Sequence, residues 1–409
     1  MNAGRLTILL LAFALSSIAA SSQERVLHDF GSGRDGAGPF GNVIFDAAGN
    51  LYGTTQNGGT YGYGTVYKLT SGQNGTGTES VLHNFNPNNG DGIAPQAGLA
   101  IDAAGNLYGT TWGGGQSPGF GTVFKLSPGA GGNWTETVLY TFRQFEGRPA
   151  SQPVFDRAGN LYGTSAGEET PGAVWELTPN QDGTWTETVL HRFSGDDGFG
   201  PAAGVTLDAG GNLYGTTEEG GRYSLGVVYK LFHTPSGMWI ETVLHHFTGG
   251  SDGAYPASTV LLDAHGNVYG TTFGGGIYHC EFGCGVAFKL SPASIGGWSL
   301  TTLYSFTGGA DGADPEAGMT FDTVGNLYGT TTFGGNLEIC GAGCGTVFKL
   351  TPSGNGQWLE TVLEAFPDGP DGDAPYGGVV FGPGSDLYGT TSGGGSSECE
   401  CGIIYEVTP

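Results

Sequence analysis

Apolar positions along this chain come in short bursts that alternate with polar ones, and each burst is bounded by Gly, Asn, Asp, Pro or Ser. Runs of that length predict strands, because a helix would need an apolar stripe recurring every three or four residues over ten or more. Four kinds of run return in fixed order. The first has the form Val-Leu-His-x-Phe, at residues 26–30, 81–85, 138–142, 189–193, 243–247, 302–306 and 362–366. The second is Ala-Gly-x-x-x-Asp, at 97–102, 203–208 and 317–322. The third is Leu-Tyr-Gly-Thr-Thr, usually preceded by Gly-Asn. The fourth is Gly-Thr-Val-Phe-Lys-Leu, at 64–69, 121–126, 172–177, 226–231, 285–290, 345–350 and 402–407.

The third run occurs seven times, and its leading Leu or Val at positions 51, 107, 161, 213, 268, 327 and 387 gives spacings of 56, 54, 52, 55, 59 and 60. A period of that size marks a repeat architecture. Seven units of four short strands predict an all-β fold, a seven-bladed β-propeller with four antiparallel strands per blade. Strands crowd near a propeller axis, so the run with Ala97-Gly98, Ala203-Gly204, Ala317-Gly318 and Gly377-Gly378 is expected innermost. The run entered through Trp134, Trp185, Trp239, Trp298 or Trp358 alternates as a rim strand should. The first strand, residues 26–30, then has no sheet of its own, and the last unit ends after its third strand. Pairing 26–30 beside 402–407 satisfies both edges and closes the ring.

Composition refines this picture. Gly at 81 of 409 residues has no three-residue period, which excludes collagen and assigns the glycines to turns. A net charge of −25 repels nucleic acid and anionic membrane surfaces and leaves cations, neutral polymers or proteins as partners. Residues 1–20 carry Arg5, an apolar run at 6–15 and small residues up to Ala20, the three parts of a secretory signal peptide. Residues 21–409 are then one propeller, secreted, periplasmic or at the cell surface, without membrane insertion after cleavage and expected to be monomeric.

The phrases Gly-Asn-Leu-Tyr-Gly-Thr-Thr, Gly-Thr-Val-Phe-Lys-Leu-x-Pro and Thr-Glu-Thr-Val-Leu-x-x-Phe, followed by Gly-Gly-x-Asp-Gly-Ala-x-Pro, resemble the GloVer tandem repeat family of secreted bacterial proteins. The resemblance spans residues 24–409. It implies a secreted repeat protein, often with an anchoring tail and with no activity generally assigned. This chain stops at Thr408-Pro409 directly after a strand, so no such tail is expected.

Candidate chemistry falls on the face where the long loops emerge. Asp35, Asp91, Asp197, Asp252, Asp311 and Asp371, with Glu146 in the third unit, occupy one repeat position. They read either as a carboxylate ring for Ca²⁺ or as plain Asp-Gly turns. Trp112, Phe273 and Phe333 follow the Thr pair and could stack on sugar rings or pack between blades. Cys280 and Cys284, Cys340 and Cys344, Cys399 and Cys401 fall one pair per loop in the last three units, as expected of disulfides in an exported chain; a Zn²⁺ site with His279 and Glu281 is the alternative. The Gly-Gln-Ser-Pro-Gly match at 115–119 lacks a strand-to-helix context and carries no catalytic meaning. His28, His83, His191 and His245 share a repeat position with Tyr140, Tyr304 and Glu364, which marks a strand residue. The third unit diverges most, at 143–148.

No catalytic set breaks the repeat symmetry. The sequence therefore points to a non-enzymatic exported propeller that binds a glycan polymer or a protein through its loop face and requires no cofactor. The alternative is an extracellular polysaccharide-acting enzyme, a glycosidase or lyase, using loop-face carboxylates.

Overall fold

The computed structural model describes residues 24–31, 34–71, 77–116, 119–149, 151–167, 170–294, 296–338, 340–395 and 399–409. The leader expected at residues 1–20 lies outside them. In the first blade, the strands Ile44–Phe45, Leu51–Thr55, Thr65–Ser71 and Gly77–Asn84 are hydrogen-bonded in that order, from the axis to the rim. Six further antiparallel sheets repeat the pattern, and among the described residues the helical turns are short 3₁₀ pieces only. The seventh blade consists of Val380–Phe381, Leu387–Thr391, Ile403–Val407 and, as its rim strand, Glu24–Asp29. That last pairing runs antiparallel from Glu24 opposite Val407 to Asp29 opposite Ile403, and Phe30 N donates to Gly402 O at 3.1 Å. The ring closes as its strand count requires.

The core lies between the blades. Seven apolar clusters fill the seven interfaces, for instance Tyr52, Val66 and Phe85 of the first blade against Leu99, Leu107, Phe124 and Leu126 of the second. Rim strands serve these clusters through a bulge. In the first blade, Val66 faces His83 and Tyr67 faces Val81, so Leu82 is the extra residue. Leu82 and Phe85 are an odd number of positions apart, and strict alternation would send them to opposite faces. With the bulge between them, both reach the same cluster. Leu139 and Phe142, Leu190 and Phe193, Leu244 and Phe247, and Leu303 and Phe306 repeat the device at their own interfaces.

Two further rings lock neighbouring blades. The first Thr of each Thr pair is buried, and its hydroxyl donates to a carbonyl at the start of the next blade: Thr54 to Ala97, Thr110 to Ser151, Thr164 to Ala203, Thr216 to Ser258, Thr271 to Ala317 and Thr330 to Gly377. Thr390 donates to Gly41 and completes the circle. The glycine that opens each third strand meets a proline of the next loop, from Gly64 against Pro95 round to Gly402 against Pro39. A Cβ at Gly64 or Gly402 would come within 3.0 Å of that proline and of backbone, and φ there is +100° and +91°. Only glycine fits such a contact.

Candidate ligand-binding face

In six blades, the turn between the first and second strands is built by the Asp that ends the first. Asp102 Oδ1 accepts from Ala104 N and Asn106 N at 2.9 Å, and its Oδ2 accepts from Asn106 Nδ2 at 2.7 Å and from the Tyr108 hydroxyl at 3.1 Å. Asp46, Asp156, Asp208, Asp263 and Asp322 do the same. Burial would raise the carboxyls of Asp46, Asp102, Asp208, Asp263 and Asp322, but the hydrogen bonds outweigh it and hold them below the ordinary range. That face is consumed by its own turns.

On the opposite face, each loop entering a blade pairs with the long loop inside that blade. Bridges join Ala37 to Asn57, Phe199 to Glu219, Ala254 to Gly274, Ala313 to Phe333 and Asp373 to Gly393, and short strands do the same in blades two and three. The Asp-Gly acids sit at the rim of this face, one per blade. Asp91 accepts from His83 Nε2 at 2.9 Å and Asn86 N at 3.0 Å; Asp197 from His191 Nε2 at 3.0 Å and Ser194 N at 2.7 Å. Asp252 is held by His245 and Thr248, Asp311 by Tyr304 and Thr307, and Asp35 pairs with His28 at 3.4 Å. Asp371 stands at the same rim position in a 3₁₀ turn. Glu146 accepts from the Tyr140 hydroxyl at 3.2 Å and Arg143 N at 2.8 Å. The glycine after the Asp has its own reason: a Cβ on Gly92 or Gly312 would collide with Thr111 or Thr331 beneath it. Among the described residues, one group alone brings three potential ligand atoms within 4.8 Å of one another: His191, Asp197 and Glu241.

The three cysteine pairs are disulfides, Cys280–Cys284, Cys340–Cys344 and Cys399–Cys401. Each staples a loop of this face, and Cys284, Cys344 and Cys401 are buried in the inter-blade clusters.

At the axis the face opens into a mouth of about 530 Å³ lined by Phe40, Gln96, Trp112, Ala202, Glu218, Ala257, Phe273, Glu316 and Tyr376. Below it a throat of about 130 Å³ is walled mainly by Gly, Ala, Ser and Thr, including Gly41, Ala97, Gly98, Ser151, Ala203 and Gly318. Two repeat positions supply the mouth: the residue after the Thr pair (Trp112, Glu218, Phe273) and the residue after the ring proline (Phe40, Gln96, Ala202, Ala257, Glu316, Tyr376). The structural phrases around them recur almost unchanged, whereas these two positions hold aromatic, acidic and small residues in turn. Phe40 and Tyr376 form a tilted pair with centroids 5.1 Å apart. Burial first, then Asp314 and Glu218, push the Glu316 carboxyl up to about 7. Burial, with Glu219, also raises Glu218.

Trp112 and Phe273 thus meet in one site, and Phe333 does not join them. The sixth unit reads Thr-Thr-Thr-Phe, so Phe333 stands one residue further along than Trp112 and Phe273. One step along an extended chain reverses the side chain, and Phe333 packs on the cluster between blades five and six. Phe40, Tyr376, Glu218 and Glu316 are not apparent from single repeats; lining up the residue after each ring proline finds Phe40, Glu316 and Tyr376, and lining up the residue after each Thr pair finds Glu218.

A family model described as a Gloeobacter/Verrucomicrobia repeat matches residues 13–181 and 164–405. No curated protein matches the sequence. Among solved structures, an ancestral GH74 enzyme aligns with a TM-score of 0.57 at 11% identity, over 95% of this chain and 51% of that one. This chain therefore spans about half the length of that structure. A luciferin-regenerating enzyme (TM-score 0.45, 11% identity, 95% and 96% coverage) and PorZ, a bacterial surface component of the type-IX secretion system of Porphyromonas gingivalis (0.46, 13%, 89% and 46%), are more distant. At such identities the likeness concerns the fold.

Proposed function

From the premise that this chain belongs to the Gloeobacter/Verrucomicrobia repeat family, we propose that it is an exported, non-enzymatic propeller that binds a glycan chain at the axial mouth. The observation that supports this is the grouping of Trp112, Phe273, Phe40 and Tyr376 with Glu218, Glu316 and Gln96 around one concavity. Aromatic faces take the apolar face of a sugar ring, and a few polar groups fix its hydroxyls. The throat below holds only about 130 Å³ against about 530 Å³ for the mouth, which favours the mouth as the place of contact. Ca²⁺ is dispensable in this reading, because most of the rim acids already accept hydrogen bonds within their own loops. A glycan array with and without Ca²⁺ tests it. Binding of glycans that is unaffected by chelation is expected, and absence of glycan binding, or binding only with Ca²⁺, would refute it.

A second reading has one specific support. Glu316 and Glu218 face the same mouth and both are raised by burial, the condition under which a carboxyl serves as general acid. If glycans bound at the mouth are cut and Glu316→Gln abolishes release of new chain ends, the enzyme reading replaces the first.

A further inference from the structure

Beside the mouth, a groove of about 440 Å³ lies between the second and third blades, lined by Trp112, Phe120, Gln144, Phe145, Gly147, Arg148, Gly167 and Thr170. It coincides with the stretch where the repeat departs most from its neighbours. Arg148 holds the centre. Its guanidinium carbon lies 5.7 Å from the Trp112 ring centroid and 5.2 Å from that of Phe120, and Nη1 donates to Trp112 O at 3.0 Å. Among the described residues no carboxylate pairs with it, although the chain carries 38 acids against 13 Lys and Arg. Glu168 and Glu169 lie outside the described residues.

A half-buried cation between two ring faces is costly to keep from its counter-ion. The carbonyl of Trp112 occupies one of five N–H donors, and the planar fork that remains matches a carboxylate in bidentate fashion. Aromatic rings complete the wall. Phe145 is 65% exposed and held at a φ of +73°, a conformation that a bulky residue rarely adopts, and its carbonyl accepts from Arg192 Nη1 at 3.3 Å. Trp112 lines both this groove and the mouth, so a sugar stacked on it places the adjoining unit beside Arg148.

We infer that this groove is a subsite for an acidic sugar unit, the carboxylate of a uronate seated on Arg148 while the ring rests against Trp112 and Phe145. The inference rests on the mouth reading and adds the class of glycan. The overall charge of −25 does not oppose it at contact range, since fields from distant acids are screened over ~8 Å at physiological salt, and the nearer carboxyls in the mouth, Glu218 and Glu316, are pushed toward their neutral form by burial.

Calorimetric titration of the full exported protein with tetragalacturonate, a neutral gluco-oligosaccharide of equal length and its sulfated counterpart tests the assignment. The wild type should prefer the uronate about ten-fold over the neutral chain. Arg148→Gln should abolish that preference, bringing the ratio of uronate to neutral affinity to about one whatever its effect on neutral binding through Trp112; Arg148→Lys, which keeps the charge without the fork, should retain part of it. Unchanged melting of both variants shows that the fold survives. A preference that persists in Arg148→Gln, or no preference at all, overturns the subsite. Tighter binding of the sulfated chain overturns the carboxylate. Phe273→Ala separates the two readings: weakened neutral binding with no effect of Arg148→Gln leaves the mouth standing without the groove, whereas no effect of Phe273→Ala on any bound oligosaccharide removes the mouth.

Discussion

Replacing Thr216 by Val changes shape very little and removes one hydroxyl. That hydroxyl is fully buried and donates at 3.0 Å to the carbonyl of Ser258, at the start of the next blade. Its loss leaves the carbonyl without its partner in a buried place, which costs roughly 1–3 kcal/mol, more than the ~1 kcal/mol net value of an ordinary hydrogen bond. A chain of this length gains about 0.8 kcal/mol per kelvin of unfolding entropy at ~2 cal/mol/K per residue, so melting should fall by only about 1–4 °C. Urea titration is therefore the better assay, with the loss read as a lower midpoint at unchanged slope. Thr110→Val and Thr330→Val, in other interfaces, should add to it nearly independently. Thr135, exposed on a rim strand, is the control whose change to Val should be neutral. If Thr216→Val and Thr135→Val behave alike, the ring of threonine bonds does not hold the blades together and the argument fails.

Deleting residues 24–30 removes the rim strand of the seventh blade together with the fully buried Phe30, a side chain whose loss alone costs ~3–5 kcal/mol; a large drop in the urea midpoint is expected, and a truncated protein as stable as the full one would contradict closure by that strand. Stability should also depend on pH. Burial first, then Asp35, Asp91, Asp197 and Asp311 respectively, push Glu79, Glu136, Glu241 and Glu360 up to about 7, while burial, then Glu364 and Asp371, push Glu24 to about 8. Their folded pKa values exceed the unfolded ones, so their contribution is complete below about 4.5 and is lost as pH rises through 7–8; the depressed turn aspartates act oppositely, below about 4. Melting temperature should peak near pH 4.5–6 and decline toward 8, and a steady rise to pH 8 would count against the half-buried rim-strand glutamates. Mass spectrometry of the unreduced protein should find Cys280–Cys284 and Cys340–Cys344 linked, and free thiols there would overturn the assignment.

The architecture was legible because the signals that fix it are local and repeated seven times. Alternation identifies the strands, small residues such as Ala97 and Gly98 identify the innermost run, and the unit lacking a fourth strand implies the pairing of residues 26–30 with 402–407, which the structure shows as Glu24–Asp29 beside Ile403–Val407. What escaped depends on contacts between units. Thr54 reads as a β-former in sequence, and only the closed ring shows its hydroxyl on Ala97 of the next blade. Tyr108 reads as a core aromatic, and its hydroxyl turns out to complete the Asp102 turn. The candidate site is half legible in sequence: Trp112 and Phe273 stand directly after the Thr pair, but Phe333 groups with them because an extra Thr hides a one-residue shift. Glu218 and Glu316 come from different blades and follow two different recurring signals, the Thr pair and the ring proline, so only the closed ring brings those two positions together at one mouth.

The central claim, that the axial mouth binds a glycan through its aromatic faces, is tested most directly by titrating one bound oligosaccharide against four proteins: wild type, Trp112→Ala, Phe273→Ala and Phe333→Ala. Truncating an aromatic contact at the heart of a site typically costs ~2 kcal/mol, about 30-fold in affinity. Trp112→Ala and Phe273→Ala should each weaken binding on that scale, and Phe333→Ala should leave affinity unchanged while lowering stability. Equal affinity for all four proteins, or a loss confined to Phe333→Ala, would contradict the claim.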